Sequence, residues 1–314
     1  MTRHFSGWLA ALTTLASVSA GAAQPQTLPA EPPAFVEPSA EPAAPVANDL
    51  FDFLSIGAGF NGSKDPQTLG IDAHNGFRTE INWGIPLWRD WGVGVQVGTA
   101  FNYEKSAVRV LQSLDGTDDR AQIFSTIGLY QRAANGWHWG IAYDWLHETY
   151  FDNFDVTQWR AQVGYQFTDS DEVGVWATTR DQRADVRLVT TPFAFSPTSQ
   201  VNAFWRHVWW HNIETRFWVG YVPQHSEFLF VEGGNPVARG QLSYGSQIFV
   251  PLSDSVAIWG EANFILPTNS GTVNAALGLA FYPGGRTLQQ TVRNTFAPLF
   301  RVANNATMSI DVRP

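Results

Sequence analysis

The sequence predicts an all-β protein: a single antiparallel up-and-down transmembrane β-barrel of about twelve strands, with a disordered N-terminal linker and C-terminal tail. Three observations carry this. Short segments of alternating polarity run from residue 50 to residue 285. The N-terminus has the layout of an export signal. Beyond it no run approaches the ~18 apolar residues of a spanning helix, which leaves a closed barrel as the way to satisfy every backbone group in hydrocarbon.

Residues 1–22 place Arg3 and His4 ahead of an apolar, small-residue run from Gly7 to Ala22 containing Leu9, Leu12, Leu15 and Val18. Basic, then greasy, then small is the order of a secretory signal peptide. Cleavage after Ala20, Ala22 or Ala23 satisfies the small-residue rule equally. The chain has no cysteine, which excludes a lipid-modified N-terminus, disulfides and thiolate metal sites. Residues 23–49 hold Pro25, Pro29, Pro32, Pro33, Pro38, Pro42 and Pro45 among Ala and Glu, which reads as a semi-rigid solvated spacer, with contact to the cell wall as the alternative role. The formal charge of -9 argues against nucleic acid as a partner.

The barrel domain, residues 50–285, is expected to form strands near 51–61, 76–87, 91–103, 120–131, 136–150, 156–167, 171–181, 199–209, 213–222, 239–250, 254–265 and 271–282. Tight turns alternate with longer joints, the asymmetry of periplasmic turns and outer loops. The first joint is long, so the N-terminus lies on the periplasmic side, and an even strand count returns the tail, residues 286–314, to the same side, where it turns back into the lumen as a plug through Phe296, Leu299, Phe300 and Val302, packs beneath the barrel or stays mobile.

Alternation assigns the two faces. In the fifth strand Trp137, Trp139, Ile141, Tyr143 and Trp145 oppose His138, Gly140, Ala142, Asp144 and Glu148. A soluble sandwich also alternates, so two further features matter. Aromatics gather at strand ends, giving a girdle of Trp83, Trp88, Trp91, Trp137, Trp145, Trp205 and Trp209 that contacts outer-membrane lipids. The other parity is rich in Gly, Gln and Asn with charges of both signs and almost no Lys, which suits a crowded lumen.

The run Gly76 to Leu87, the phrase Asn202-Ala203-Phe204-Trp205-Arg206-His207-Val208-Trp209, the stretch Gly271 to Gly285, and Phe296-Ala297-Pro298 with Val302-Ala303-Asn304-Asn305 resemble an uncharacterised planctomycete family. Its members are secreted proteins with a β-barrel domain of unknown function. The resemblance spans Leu50 to Val312 and implies fold and location, with no catalytic residue to carry over.

The inward set is Arg78, Glu80, Asp144, Glu148, Arg160, Glu172, Arg180, Arg206, Glu214, Arg216, Arg239 and Glu261. Either these line a narrow pore for small polar solutes, or they pair into salt bridges that close the lumen of a structural envelope protein. Inward Trp176, Trp218 and Trp259 fill void or stack on sugars. The competing readings are an outer-membrane lipid-modifying enzyme and a soluble secreted binding protein. His147 and Thr149 share a parity as a barrel-wall lipase requires, but no orienting third group is visible next door, where Gln158 and Arg160 point inward. His147 and His207 are therefore girdle residues, and no enzymatic activity is expected. Asp115, Gly116, Asp118 and Asp119 match no calcium-loop spacing, and His207 with His211 would suit zinc only on a helix. No metal and no cofactor are expected.

Overall fold

The strands are β1 (Leu54–Lys64), β2 (His74–Trp88), β3 (Val93–Ser106), β4 (Asp119–Arg132), β5 (Trp137–Thr149), β6 (Asn153–Gln166), β7 (Asp171–Gln182), β8 (Ala184–Leu188), β9 (Thr191–Pro197), β10 (Gln200–Val208), β11 (Glu214–Glu227), β12 (Val237–Pro251), β13 (Val256–Leu266), β14 (Val273–Phe281) and β15 (Ile310–Arg313). The structure is a computed structural model and describes residues 51–65, 73–107, 119–150, 152–188, 191–227, 237–266, 272–285 and 296–313. The expected signal peptide, the linker, and Asp115, Gly116 and Asp118 lie outside the described residues, as does the side chain of Arg239.

Twelve antiparallel strands close the barrel in the order β1 to β7, then β10 to β14, with β14 returning to β1 from Ile56↔Phe281 to Lys64↔Val273. The twelve expected strands are these twelve. At one rim, the short-turn rim, the connections are tight. Two are single 3-10 turns, Arg89–Trp91 and Trp210–Asn212. A third is closed by Gly136 at φ 91, where a side chain would be strained. The opposite, long-loop rim carries the longer joints.

The barrel is built inside out. Its outer surface shows Ile127, Trp139, Ile141, Val163, Phe217, Val219 and Leu279 to the surroundings, while Gln96, Gln122, Asp144, Gln158, Asn202 and Asn263 are buried within. Among the described residues no helix is long and apolar enough to cross a membrane. All seven girdle tryptophans lie on the outer wall or in the turns; Trp83 is half-buried and the other six are exposed. Trp88, Trp91, Trp137 and Trp209 ring the short-turn rim, whereas Trp145 stands toward the long-loop rim.

One element departs from expectation, and one open alternative is decided. The joint between β7 and β10 contains the β8–β9 hairpin, which pairs with β15 in a separate three-stranded sheet. The tail takes the plug alternative: over residues 296–313 it is ordered inside the barrel, not mobile or packed beneath it in the periplasm. It enters beside Tyr130 and Arg132 near the short turns, and β15 leaves at the opposite rim. Buried polar walls need partners, and the tail's backbone supplies them.

Candidate functional site

The lumen is the site, and the tail is its main occupant. Asn82 and Gln96 donate to the Phe300 carbonyl at 2.9 and 3.0 Å, while the Phe300 amide donates to Gln96 at 2.9 Å. Arg78 donates to the Ala303 carbonyl (3.1 Å) and Arg160 to that of Arg301 (2.9 Å). Further along, Asn274 donates to Asn305 O at 2.9 Å and Gln158 to Thr307 O at 3.0 Å. Apolar contacts complete the seal: Val302, Ala303, Met308, Ile310 and Val312 pack with wall residues Phe124, Leu146, Phe154 and Val156 and with hairpin residues Phe193 and Phe195.

Wall glycines make the room. A Cβ at Gly84 would overlap the Phe296 carbonyl, and one at Gly140 would come within 2.7 Å of Leu299 and 2.8 Å of Phe300. Gly84→Val is therefore expected to displace the start of the tail without breaking the wall. The measure is limited proteolysis of the folded protein, with cleavage C-terminal to residue 295 rising several-fold over wild type.

Charges are sorted along the barrel axis. At the long-loop rim Arg120 faces Glu148 (3.0 Å), Glu104 (3.2 Å) and Asp65 (3.5 Å), with none of these side chains more than 1% exposed. At mid-depth Arg78 and Arg301 hold Glu80 at 2.9 and 2.7 Å, Arg301 also approaches Glu261 at 3.6 Å, and Arg160 holds Asp144 at 2.8 Å. At the short-turn rim Arg206 bridges Glu172 (2.7 Å) and Glu214 (3.1 Å), and His138 stands 3.2 Å from Glu172.

Asp65 lies just beyond β1. Burial, opposed by Arg120, pushes its carboxyl up from 3.8 to about 6. A folded-state value above the unfolded one means stability from this group is full below about pH 4 and is lost as pH rises through about 6. Midpoints of urea unfolding in detergent should fall across that window, and Asp65→Asn should flatten the slope.

Of the expected inward residues, Arg78, Glu80, Asp144, Glu148, Arg160, Glu172, Arg206, Glu214, Arg216 and Glu261 do line the lumen or its cavity. Arg180 has the inward parity but sits exposed toward the long-loop rim, paired with Gln158 at the edge of the register shift between Thr157 and Gln158. Asp65, Glu104 and Arg120 were not expected, although Glu104 follows Asn102 and Arg120 precedes Gln122 at inward parity. Trp176 and Trp218 pack on Phe204, and the Arg301 guanidinium caps Trp259 at 3.9 Å, so these rings fill space.

The outer wall corrects one expectation. His147 does have an orienting group: Asp155, its register partner on β6, accepts from His147 Nδ1 at 2.9 Å and from Trp145 Nε1 at 3.1 Å. β6 begins at Asn153, three residues earlier than its sequence pattern indicated, which brings Asp155 onto the outward face. The arrangement recurs near the other rim, where Asp171 accepts from His207 (2.8 Å) and Trp205 (3.1 Å). The residue two beyond His207 is Trp209, with no hydroxyl, so the shared geometry is that of an interfacial clasp. Thr149, beside His147, spends its hydroxyl on the Ala121 carbonyl at 3.5 Å. Among the described residues no group of His and carboxylates could hold a metal ion.

The model of a family of unknown function (DUF6666) matches residues 53–310. No curated protein matches the chain in sequence. Solved structures with a similar fold include the KdgM porin, at 6% identity and a TM-score of 0.42 over 72% of this chain and 98% of that one. An outer membrane phospholipase dimer of Salmonella typhi with bound calcium is 8% identical, with a TM-score of 0.41 over 75% and 93%. The translocator domain of the autotransporter NalP from Neisseria meningitidis is 7% identical, with a TM-score of 0.44 over 73% and 87%. These likenesses concern the fold alone.

Proposed function

This chain belongs to DUF6666, a family of unknown function, so its role must come from its own lumen, and we propose that it is a sealed outer-membrane barrel serving the envelope as a structural and anchoring protein. The observation that carries this is the hydrogen-bonded passage of residues 296–313 from rim to rim. Asn82, Gln96, Arg78, Arg160, Asn274 and Gln158, which would otherwise face a water channel, each donate to a tail carbonyl. Opening a continuous path would strip those partners and expose Phe124, Leu146 and Val156 to water, each a cost of order 1–3 kcal/mol.

In this reading residues 1–22 direct export and are removed. The short-turn rim is periplasmic, as short turns are in barrels of this kind. The Pro-rich linker, residues 23–49, then extends into the periplasm toward the cell wall. The apolar belt and its tryptophans hold outer-membrane lipids, with the His147–Asp155 and His207–Asp171 clasps at the two interfaces. The protein is not an enzyme in this reading: the hydroxyls beside its outward His–Asp pairs are engaged in the wall, Thr149 with the Ala121 carbonyl and Thr215 with Trp209 Nε1. An outward apolar wall speaks against a soluble binding protein.

Planar bilayer recording tests the proposal. The full-length protein should give a quiet baseline together with a heat-resistant folded band on a gel. Discrete conductance steps from that same preparation would restore the narrow pore for small polar solutes.

A further inference from the structure

A cavity of about 160 Å³ occupies the part of the lumen that the tail leaves free, on the side of β7 and β10 to β13. Trp176 and Trp218, which pack on Phe204, contribute to its lining, and it reaches the short-turn rim at Arg132 and Glu214. Five arginines contribute to its lining: Arg132, Arg160, Arg206, Arg216 and Arg301.

Two of these guanidiniums form no ion pair among the described residues. Arg216 donates from Nη2 to Gln162 at 2.8 Å and lies flat on Phe204, 3.8 Å from the ring centre. Its Nε is buried with no hydrogen-bond partner. Arg132 makes only long bonds, 3.3 and 3.4 Å, to the carbonyls of Ala297 and Pro298. Arg206 adds another orphaned Nε and is the direct register partner of Arg216, so two like charges stand side by side on β10 and β11. Like charges placed opposite each other destabilise a sheet. Counting this layer, Arg132, Arg206 and Arg216 face Glu172 and Glu214, a surplus of one positive charge with His138 left out.

A guanidinium carries five donors in a planar fork that matches a carboxylate or phosphate. Burying one without an anion is costly, and holding it flat on an aromatic ring fixes where its donors point. We infer that the cavity is a binding site for a small oxyanion, a solute bearing a phosphate or carboxylate group, seated on Arg216 and Arg132 with Arg206 beside them. Gln162 keeps the Arg216 fork in place, and Glu172 and Glu214 hold Arg206 so that it tunes the field without closing the site. The site is a blind vestibule below the sealed part of the lumen, and this inference goes beyond a structural role.

The test is isothermal titration calorimetry on the full chain folded in detergent. Inorganic phosphate and succinate are titrated in separate arms at constant ionic strength, with sodium chloride as the control. Saturable binding near one site per chain is expected in at least one arm; phosphate alone, succinate alone or both define the anion class. Arg216→Gln and Arg132→Gln should each weaken it about tenfold or more, the scale of losing a charge-assisted bond, with the heat-resistant folded band retained. Arg216→Lys, which keeps the charge and loses the fork, should fall between. If Arg216→Gln does not fold, Arg132→Gln decides, because its tail contacts are long. No saturable heat in either arm, equal response to chloride, or wild-type affinity in the folded variants overturns the inference. Equilibrium binding is read independently of conductance, so a conducting barrel would sink the structural proposal and leave this result standing.

Discussion

Arg120→Met should lower the stability of the folded barrel by about 3–5 kcal/mol, the scale for removing one partner from a buried ion cluster. The variant takes the guanidinium away from Asp65, Glu104 and Glu148, at a place where all are almost fully buried. Neighbouring Gln122 also donates to Glu148 (2.7 Å), and Asn61 to Glu104, so the loss spreads to groups that had been oriented by the salt bridges. Denaturant unfolding in micelles, followed by tryptophan fluorescence, measures it. Adding Glu104→Gln and Glu148→Gln to Arg120→Met should recover much of the loss, since the cost lies in uncompensated charge. Lys105→Met, at an exposed rim pair with Asp119, is the control expected to change little. Equal stability of Arg120→Met and wild type would mean that the acidic group takes up protons at no cost, contrary to this account.

Removal of residues 296–314 should turn a silent barrel into a conducting one. The twelve-strand wall closes through its own backbone ladder, β14 onto β1, and does not need the tail for its circuit. What it loses is the acceptor for Asn82, Gln96, Arg78 and Arg160 and the apolar cover over Phe124 and Leu146. Water then fills a lumen wider than that of eight-stranded barrels, whose side chains suffice to fill it. The truncated chain is expected to show discrete steps in a planar bilayer and a lower unfolding midpoint than the parent. A folded, silent truncation would show that the wall side chains alone block passage.

The barrel was legible because period-two patterning is strong wherever one face meets lipid and the other a polar interior: β5 and β6 declare both faces over their whole length. The paired lumen charges followed from the same parity. The tail was harder, since Phe296 to Val312 carries no long periodic run and its fit depends on distant wall residues. Its trace was nonetheless present. Phe124, Tyr130, Leu146 and Val156 sit at inward parity among polar neighbours, and Gly84 and Gly140 leave space there; an apolar residue facing a lumen implies something apolar to meet it. The β8–β9 hairpin was hidden by Pro192 and Pro197, which argue against strands in isolation, and is stabilised by β15 from the far end of the chain. Asp155 was missed by a strand boundary drawn three residues late, the least secure part of any pattern reading.

Because the last segment runs up the middle, the cylinder cannot be completed as an empty shell and stocked afterwards without threading a charged peptide through a narrow bore. The seam between the first and final staves must join while that peptide already lies between them. Any insertion machinery that recognises the closing stave would find it well inside the polypeptide, and a short label fused to the very end should surface at the long-loop rim.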